Sequence, residues 1–306
     1  MTWLNLQLAR LNTLQPLRML AQYNVQRGPV MAAGIGFTMF FSITGLLTTG
    51  FSIAALVLKS NKALLDALVS SVAKSTPGLL KVDGGNGLVD PQALLNPTGL
   101  GWTAIIAALV TIFTALSWIA SLRIGMRGVA GLQALTVNPV VKKLKDAGTL
   151  VLLGVALLIT AGVTVVFGGA LDAVTGVLHL DTAVAIPAGF VLGVAVALLL
   201  NWLTATILFK LAAGLELDRS IFVRATALAG VGMTILQLLS GLLLGKATAN
   251  PLLASFVVII GLLIWFNFVS QVFLFAAAYA AVRQADADAA VLAADKRGRA
   301  RTLRPA

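Results

Sequence analysis

Six long runs of the sequence contain no charged residue, and charged connections lie between most of them. The runs cover residues 30–58, 92–122, 147–171, 182–209, 225–245 and 247–282. Each is longer than the roughly 20 residues that a helix needs to cross about 30 Å of hydrocarbon. A core helix of a soluble protein seldom stays apolar on all sides over such a length. The pattern therefore predicts an all-α polytopic membrane helix bundle with six transmembrane helices plus short interfacial helices.

The predicted boundaries divide the chain into three parts. Residues 1–29 form a cytoplasmic amphipathic segment, residues 30–283 a membrane domain, and residues 284–306 a basic cytoplasmic tail that is predicted to be disordered. Turn residues and caps refine the six transmembrane helices to about 30–58, 98–122, 147–171, 182–209, 222–245 and 252–282. An apolar stripe from Leu64 to Val72 predicts a short helix in the first connection, and Asn138-Pro139 predicts a helix start.

Lysine and arginine are concentrated in the two chain ends and in every second connection. The second connection carries Arg123, Arg127, Lys142, Lys143 and Lys145, whereas the lysines of the first connection are offset by aspartates. Cytoplasmic loops of membrane proteins carry the excess of Lys and Arg. The predicted location is therefore the bacterial inner membrane, in a multi-pass topology with both termini cytoplasmic.

Composition narrows the classes of function. The chain has 59% hydrophobic residues, a net charge of +11 and no cysteine. Since the positive charge lies where membrane topology requires it, we expect no nucleic-acid partner. A single histidine, His179, excludes a multi-histidine metal centre, and Asp172 and Asp181 near it are interpreted as a solvated loop. We expect no metal, no cofactor and no catalytic residue, and therefore no enzyme.

Several segments resemble the YihY/BrkB family of bacterial inner-membrane proteins, including its YhjD branch. The resemblance covers roughly residues 28–285, and its strongest motif is Gly261-Leu-Leu-Ile-Trp-Phe-Asn-Phe-Val-Ser-Gln-Val-Phe-Leu274. Residues 31–42, 101–123 and 208–224 also match. Many members have Gly-Ala-Glu where this chain has Ala276-Ala277-Ala278, so a role tied to that glutamate is absent. The resemblance implies an envelope-related role. An older ribonuclease label is disfavoured, because the cytoplasmic acids Glu216 and Asp218 lie beside Arg219 and are expected to form solvated ion pairs.

Five basic residues form the first candidate site. Arg123 and Arg127 are four residues apart and share a helix face beside Gly125 and Gly128. Arginine binds phosphate through two parallel hydrogen bonds, so Arg123 and Arg127, with Lys142, Lys143 and Lys145, are candidates for a lipid-phosphate site. The alternative is that these residues only determine topology.

Uncharged polar residues inside the apolar runs form the second candidate site. The candidates for lining a polar path are Asn201, Gln237, Asn267 and Gln271. Polar side chains in hydrocarbon turn inward and find partners, so hydrogen bonds between helices are the alternative. No charged residue lies deep in a run, which disfavours a conventional proton-driven pump.

Two hypotheses of function follow from these features. The first is that the protein transports or flips a lipid or a lipid-linked cell-envelope precursor, with membrane lipids as partners. A weakly polar, uncharged interior tolerates an acyl or prenyl chain, and the basic patches suit phosphate headgroups. The second is a non-transporting membrane scaffold that supports envelope integrity. Gly189 and Gly193 allow close helix packing, within the bundle or in a homo-oligomer.

Overall fold

The computed structural model describes residues 14–57, 61–76, 79–80, 102–133, 138–178, 182–244 and 251–302. Regular structure in these ranges is helical, which confirms the predicted all-α class. The α-helices there are α1 (Gln15–Val25), α2 (Gly28–Val57), α3 (Lys62–Ser75), α4 (Trp102–Val129), α5 (Pro139–Leu178), α6 (Thr182–Ile207), α7 (Arg219–Leu244) and α8 (Pro251–Thr302). A π-helical turn, Leu208–Ala212, continues α6.

Two helix starts follow directly from the local sequence. The side chain of Asn138 accepts a hydrogen bond from the backbone N–H of Val140 at 2.9 Å, and Pro139 occupies the first helical position of α5. Proline loses nothing there, since its missing N–H would have no partner inside the helix. Asn61 caps α3 in the same way by accepting from the N–H of Leu64 at 3.2 Å. The predicted start at Asn138-Pro139 and the short helix in the first connection are both confirmed.

Helix α8 lies at the centre of the bundle, where it packs against α1, α2, α4 and α7. Its contact with α2 depends on Gly36, because a Cβ at that position would lie 2.8 Å from the backbone nitrogen of Asn267. A second close crossing joins α7 to α6, where a Cβ on Gly230 would lie 2.9 Å from the backbone of Trp202. Glycine thus sets the distance between helices at both crossings.

Four helical segments are long and apolar enough to cross a membrane, judged by length and composition in the described residues. They are Pro139–Val163, Gly189–Ala212, Arg219–Ser240 and Val258–Lys296. These segments support the last four of the six predicted transmembrane helices. The first two coincide with α2 and α4, which have 30 and 28 residues. The side chains of 44–57 and 102–108 lie outside the described part, so these two spans stay predictions.

The helices differ in how much of their apolar surface is covered. In α5 and α6 only 22% and 17% of the most apolar window is buried, compared with 39% in α7 and in α8. Exposed side chains such as Val151 and Ile159 of α5 and Phe190 and Leu199 of α6 account for the difference. In a membrane protein such a surface suits lipid. We therefore describe α5 and α6 as the peripheral helices of the bundle.

The polar end of the chain differs from the prediction. Residues 284–306 were expected to be disordered, but α8 continues without interruption to Thr302. Its 52 residues correspond to about 78 Å at 1.5 Å per residue, far more than the roughly 30 Å of a hydrocarbon core. The end of α8 therefore extends beyond the bilayer. The prediction of disorder is wrong because this stretch is rich in alanine, the strongest helix former.

Helix α1 joins the N-terminal part of the chain to α8. Arg18 donates two hydrogen bonds to the carboxylate of Asp286, at 2.8 and 2.7 Å, and Tyr23 stacks on Phe275 with ring centroids 4.1 Å apart. The hydrogen bond from Arg18 lowers the pKa of Asp286, which follows the predicted end of the sixth span. Much of the predicted amphipathic segment, residues 1–13, lies outside the described residues.

Candidate functional site

A buried ion pair joins α4 to α5. The guanidinium of Arg123 contacts the carboxylate of Asp146, and the two residues are only 8% and 3% exposed. Arg123 also donates through Nε to the carbonyl of Ala212, at 2.8 Å. Asp146 lies two turns into α5, where it meets Arg123. The charge of Arg123 is therefore compensated inside the protein.

Arg127, one turn further along α4, holds the segment that follows the π turn. Its NH1 group donates to the carbonyls of Ala213 and Gly214, at 3.3 and 3.1 Å, and its Nε donates to the carbonyl of Gln133 at 3.0 Å. Gly214 has a φ of +56°, a backbone conformation that glycine adopts without steric cost. Arg123 and Arg127 together thus fix three consecutive carbonyls of the connection between α6 and α7.

Just beyond these carbonyls the chain forms an open cleft, which we call the 210–219 cleft. Its volume is about 580 Å³, and it is lined by Lys210, Leu215, Glu216, Leu217, Asp218, Arg219, Phe222 and Gln284. The backbone N–H of Asp218 donates to Oε1 of Gln284 at 3.1 Å, which joins the connection to α8. The cleft therefore lies where α6 ends, α7 begins and α8 continues away from the centre of the bundle.

The charges of the 210–219 cleft are balanced but not paired. Two cations, Lys210 and Arg219, and two carboxylates, Glu216 and Asp218, line the same space. The expected ion pairing of Glu216 and Asp218 with Arg219 is not observed, since no salt bridge joins these side chains in the part of the chain that the structure describes. The cleft thus offers both signs of charge to a ligand.

The three lysines of the first candidate site lie in the first two turns of α5. Lys145 and Lys143 are exposed on α5, and Lys142 is partly exposed. The ammonium of Lys143 lies 5.5 Å from the ring centroid of Phe113, within the range of a cation–π contact. Phosphate binding by the set of five stays a prediction.

Two of the candidate path residues, Asn201 and Gln237, join α6 to α7. Asn201 of α6 donates through Nδ2 to Oε1 of Gln237 at 2.9 Å and to the hydroxyl of Thr234 at 3.0 Å, both on α7. Gly230, one turn before Thr234 on α7, keeps the same two helices close by facing the backbone of Trp202. These contacts agree with the alternative interpretation, in which the polar residues form hydrogen bonds between helices and do not line a path.

The other two candidate path residues contact each other on α8. Nε2 of Gln271 donates to the Oδ1 of Asn267, one helical turn away. The described residues show no hydrogen bond from this pair to Asn201 or Gln237. The four polar residues therefore form two separate pairs, one between α6 and α7 and one within α8.

The side chains of the predicted loop around His179 lie outside the described residues. His179 and Asp181 lie outside the described residues, as does the side chain of Asp172. In the part of the chain that the structure describes, no three His, Cys, Asp or Glu side chains are grouped so as to hold a metal ion.

Comparison with known proteins identifies the chain's relatives. The family described as "Virulence factor BrkB" matches residues 19–301, which is most of the chain. The chain belongs to the BrkB family. This confirms the resemblance to YihY/BrkB proteins that the sequence motifs indicated.

Two members of the BrkB family are similar over most of their length. The inner membrane protein YhjD of Escherichia coli (strain K12) is 24% identical over 282 residues, covering 88% of this chain and 80% of its own. An uncharacterized protein of Dickeya dadantii (strain 3937) is 25% identical over 277 residues, covering 87% and 82%. No solved structure matches the chain. Together with the apolar helices, the family membership shows a membrane protein, and none of these descriptions names an enzymatic activity.

The sequence analysis of this BrkB-family chain missed the 210–219 cleft. Its signal was present, since Lys210, Glu216, Asp218 and Arg219 place both signs of charge in one short connection. The π turn that shapes the start of the cleft has no comparable signal in the sequence. The pairing of Asp146 with Arg123 was also missed, because the two residues lie on different helices.

Proposed function

We propose that this protein moves a lipid or a lipid-linked envelope precursor across the bacterial inner membrane. The observation that carries the proposal is the 210–219 cleft at the end of α6. Its volume of about 580 Å³ lies within the range of small-molecule sites, about 300 to 1,000 Å³. It adjoins a peripheral helix whose apolar surface is exposed. A polar cleft beside a lipid-facing helix suits a molecule with a polar head and an apolar tail.

The proposal includes an orientation. The connections with most Lys and Arg, including 210–224, face the cytoplasm, and so do both termini. The 210–219 cleft then opens on the cytoplasmic side, where lipids and lipid-linked precursors are synthesised.

Cysteine labelling tests this orientation, since the chain has no cysteine of its own. Cysteines at Gln133, Leu217 and Ala300 should react with an impermeant thiol reagent only after spheroplasts are permeabilised. Cysteines at Asn86, His179 and Ala249 should react in intact spheroplasts. Reversed labelling at even one of the six positions contradicts the topology with six spans and both ends inside.

Transbilayer movement tests the function itself. The purified full-length protein is reconstituted into vesicles that carry a fluorescent phospholipid in both leaflets, and an impermeant quencher is added outside. We expect the quenched fraction to rise from the outer-leaflet share towards completion, and to stay at that share in protein-free vesicles. Equal quenching with and without protein, for phospholipids and for a polyprenyl-phosphate probe, would count against transport.

Variants of the two polar pairs test whether these residues contribute to lipid movement. Replacing Asn267 and Gln271 with leucine should slow lipid movement if they line a path, while the melting temperature in detergent stays near that of the parent. The hydrogen bond between Asn267 and Gln271 lies within α8, so its loss should change the free energy of unfolding little. If the pairs only hold helices together, activity should fall in proportion to the loss of folded protein. The corresponding Asn201→Leu/Gln237→Leu variant, which breaks a bond observed between α6 and α7, provides the comparison.

A scaffold role is the second candidate, and one observation favours it. Beyond the membrane, α8 exposes Val291 and Leu292, which are 68% and 63% exposed. Exposed apolar residues on a projecting helix are typical of contact surfaces for other proteins. Replacing both with serine should impair envelope integrity without slowing lipid movement if the protein acts as a scaffold.

A further inference from the structure

We propose that the 210–219 cleft binds a headgroup that carries both a phosphate and a primary amine, such as the phosphoethanolamine group of a phospholipid. The inference names the ligand class for the proposed lipid transport and therefore rests on that function. It is drawn from the cleft's two unpaired cations, its two unpaired carboxylates and its position at the end of a lipid-facing helix.

The cations suit the phosphate. Arg219 is the first residue of α7, so its guanidinium lies close to the helix N-terminus, where the macrodipole also favours an anion. Lys210 lies in the π turn at the end of α6 and is exposed to the cleft. Arg123 and Arg127 lie behind this segment and are held by carbonyls and, for Arg123, by Asp146. The phosphate-binding charges therefore belong to the cleft, and the two buried arginines support its wall.

The carboxylates suit the amine. Glu216 and Asp218 are exposed and lie two residues apart in the connection, with no ion-pair partner among the described residues. Two carboxylates beside two cations give the cleft no net charge. An anionic headgroup would gain from the cations but be repelled by the carboxylates, whereas a zwitterion matches both. The charge pattern thus selects against purely anionic lipids.

The apolar lining suits the part of the lipid below the headgroup. Leu215, Leu217 and Phe222 contribute the apolar wall of the cleft. Leu211, next to Lys210, is 42% exposed. These apolar side chains suit the glycerol and the start of an acyl chain. A small soluble phosphate ester would leave this surface uncovered.

The rival explanation is that the four charges are solvated and bind nothing in particular. That explanation predicts only a general effect of surface charge on lipid retention. It predicts no preference for a zwitterion and no difference between charges inside and outside the cleft.

Native mass spectrometry of the full-length protein in detergent separates these possibilities. The probes are phosphatidylethanolamine and phosphatidylglycerol with identical acyl chains, and soluble O-phosphoethanolamine. We expect phosphatidylethanolamine to be retained about tenfold better than phosphatidylglycerol, which corresponds to about 1.4 kcal/mol. Excess O-phosphoethanolamine should displace the lipid only weakly. Efficient displacement would show that the amine-phosphate chemistry is correct but that the ligand is the soluble ester.

Variants that neutralise the carboxylates or the cations of the cleft should affect lipid retention in different ways. Glu216→Gln/Asp218→Asn should reverse the preference towards phosphatidylglycerol. Lys210→Gln/Arg219→Gln should weaken the retention of both lipids. The matched controls Asp66→Asn and Lys62→Gln change exposed charges outside the cleft and should leave retention unchanged.

Two outcomes overturn the proposal: equal retention of the two lipids by the parent, or equal effects of the cleft variants and the controls. Unchanged melting temperatures exclude misfolding as the cause of a loss. Retention is measured without transport, so the two claims fail separately. Selective binding without lipid movement would contradict the proposed function alone, and movement without selective binding would contradict only the headgroup assignment.

Discussion

Replacing Asp146 with asparagine is expected to lower the free energy of unfolding by about 3 to 5 kcal/mol, the usual cost of removing one partner of a buried ion pair. Asp146 is 3% exposed and Arg123 8% exposed, so water does not reach the guanidinium that loses its partner. The measurement is the thermal or denaturant unfolding of the purified protein in detergent. The matched control Asp66→Asn makes the same chemical change on the exposed surface of α3 and should have little effect.

A double variant distinguishes the charge from the packing. Arg123→Met/Asp146→Leu removes both charges and keeps similar volumes, and such replacements are often neutral or stabilising. We therefore expect the double variant to regain most of the stability that Asp146→Asn loses. The carbonyl of Ala212 would still lose its donor, so recovery should be incomplete. A double variant as unstable as the single one would show that the ion pair is not the source of the effect.

Arg123→Lys tests the same ion pair by changing the arginine and leaving Asp146 in place. Lysine keeps the charge but cannot reach Asp146 and Ala212 at once as the guanidinium does. A folding defect in this variant is expected from the buried ion pair. If Arg123 only determines topology, folding and lipid binding should not change. If it belongs to a lipid-phosphate site, the variant should fold normally but lose bound lipid.

The sequence was informative where a local rule decides the structure. Long uncharged runs predicted helices, and Asn138-Pro139 predicted the start of α5 to the residue, because capping depends only on neighbours in the chain. The composition of residues 284–302 was misjudged: polarity suggested disorder, although alanine at this density favours a helix. Helix propensity was the better guide there.

The candidate site was less predictable because its contacts join distant parts of the chain. The pair between Arg123 and Asp146 depends on how α4 and α5 cross, and nothing in the spacing of 123 and 146 fixes that angle. The carbonyls that the arginines bind carry no side-chain signal at all. Charges in a connection can be read from the sequence, but whether they face one another or a shared cleft depends on the fold.

Replacing Gly36 with alanine is expected to destabilise the bundle by about 1 to 3 kcal/mol, the typical cost of adding a methyl group to a well-packed core. The added Cβ would lie 2.8 Å from the backbone nitrogen of Asn267 and 3.1 Å from the backbone carbon of Phe266. Both are backbone atoms of α8, so no side chain can rotate away. Helix α2 or α8 must move as a whole, and α8 is the helix against which α1, α2, α4 and α7 pack.

Gly34 supplies a control two residues away on the same helix, since a Cβ there would have nothing within 4 Å. Gly34→Ala should be neutral or stabilise the protein by up to about 1 kcal/mol, because alanine favours a helix over glycine. Gly36→Leu should be more damaging than Gly36→Ala, whereas Gly34→Leu should be tolerated on an exposed face. Melting temperatures of the four variants in detergent give the comparison. Similar losses at the two positions would mean that helix flexibility, and not the close approach of α2 to α8, explains why glycine occupies position 36.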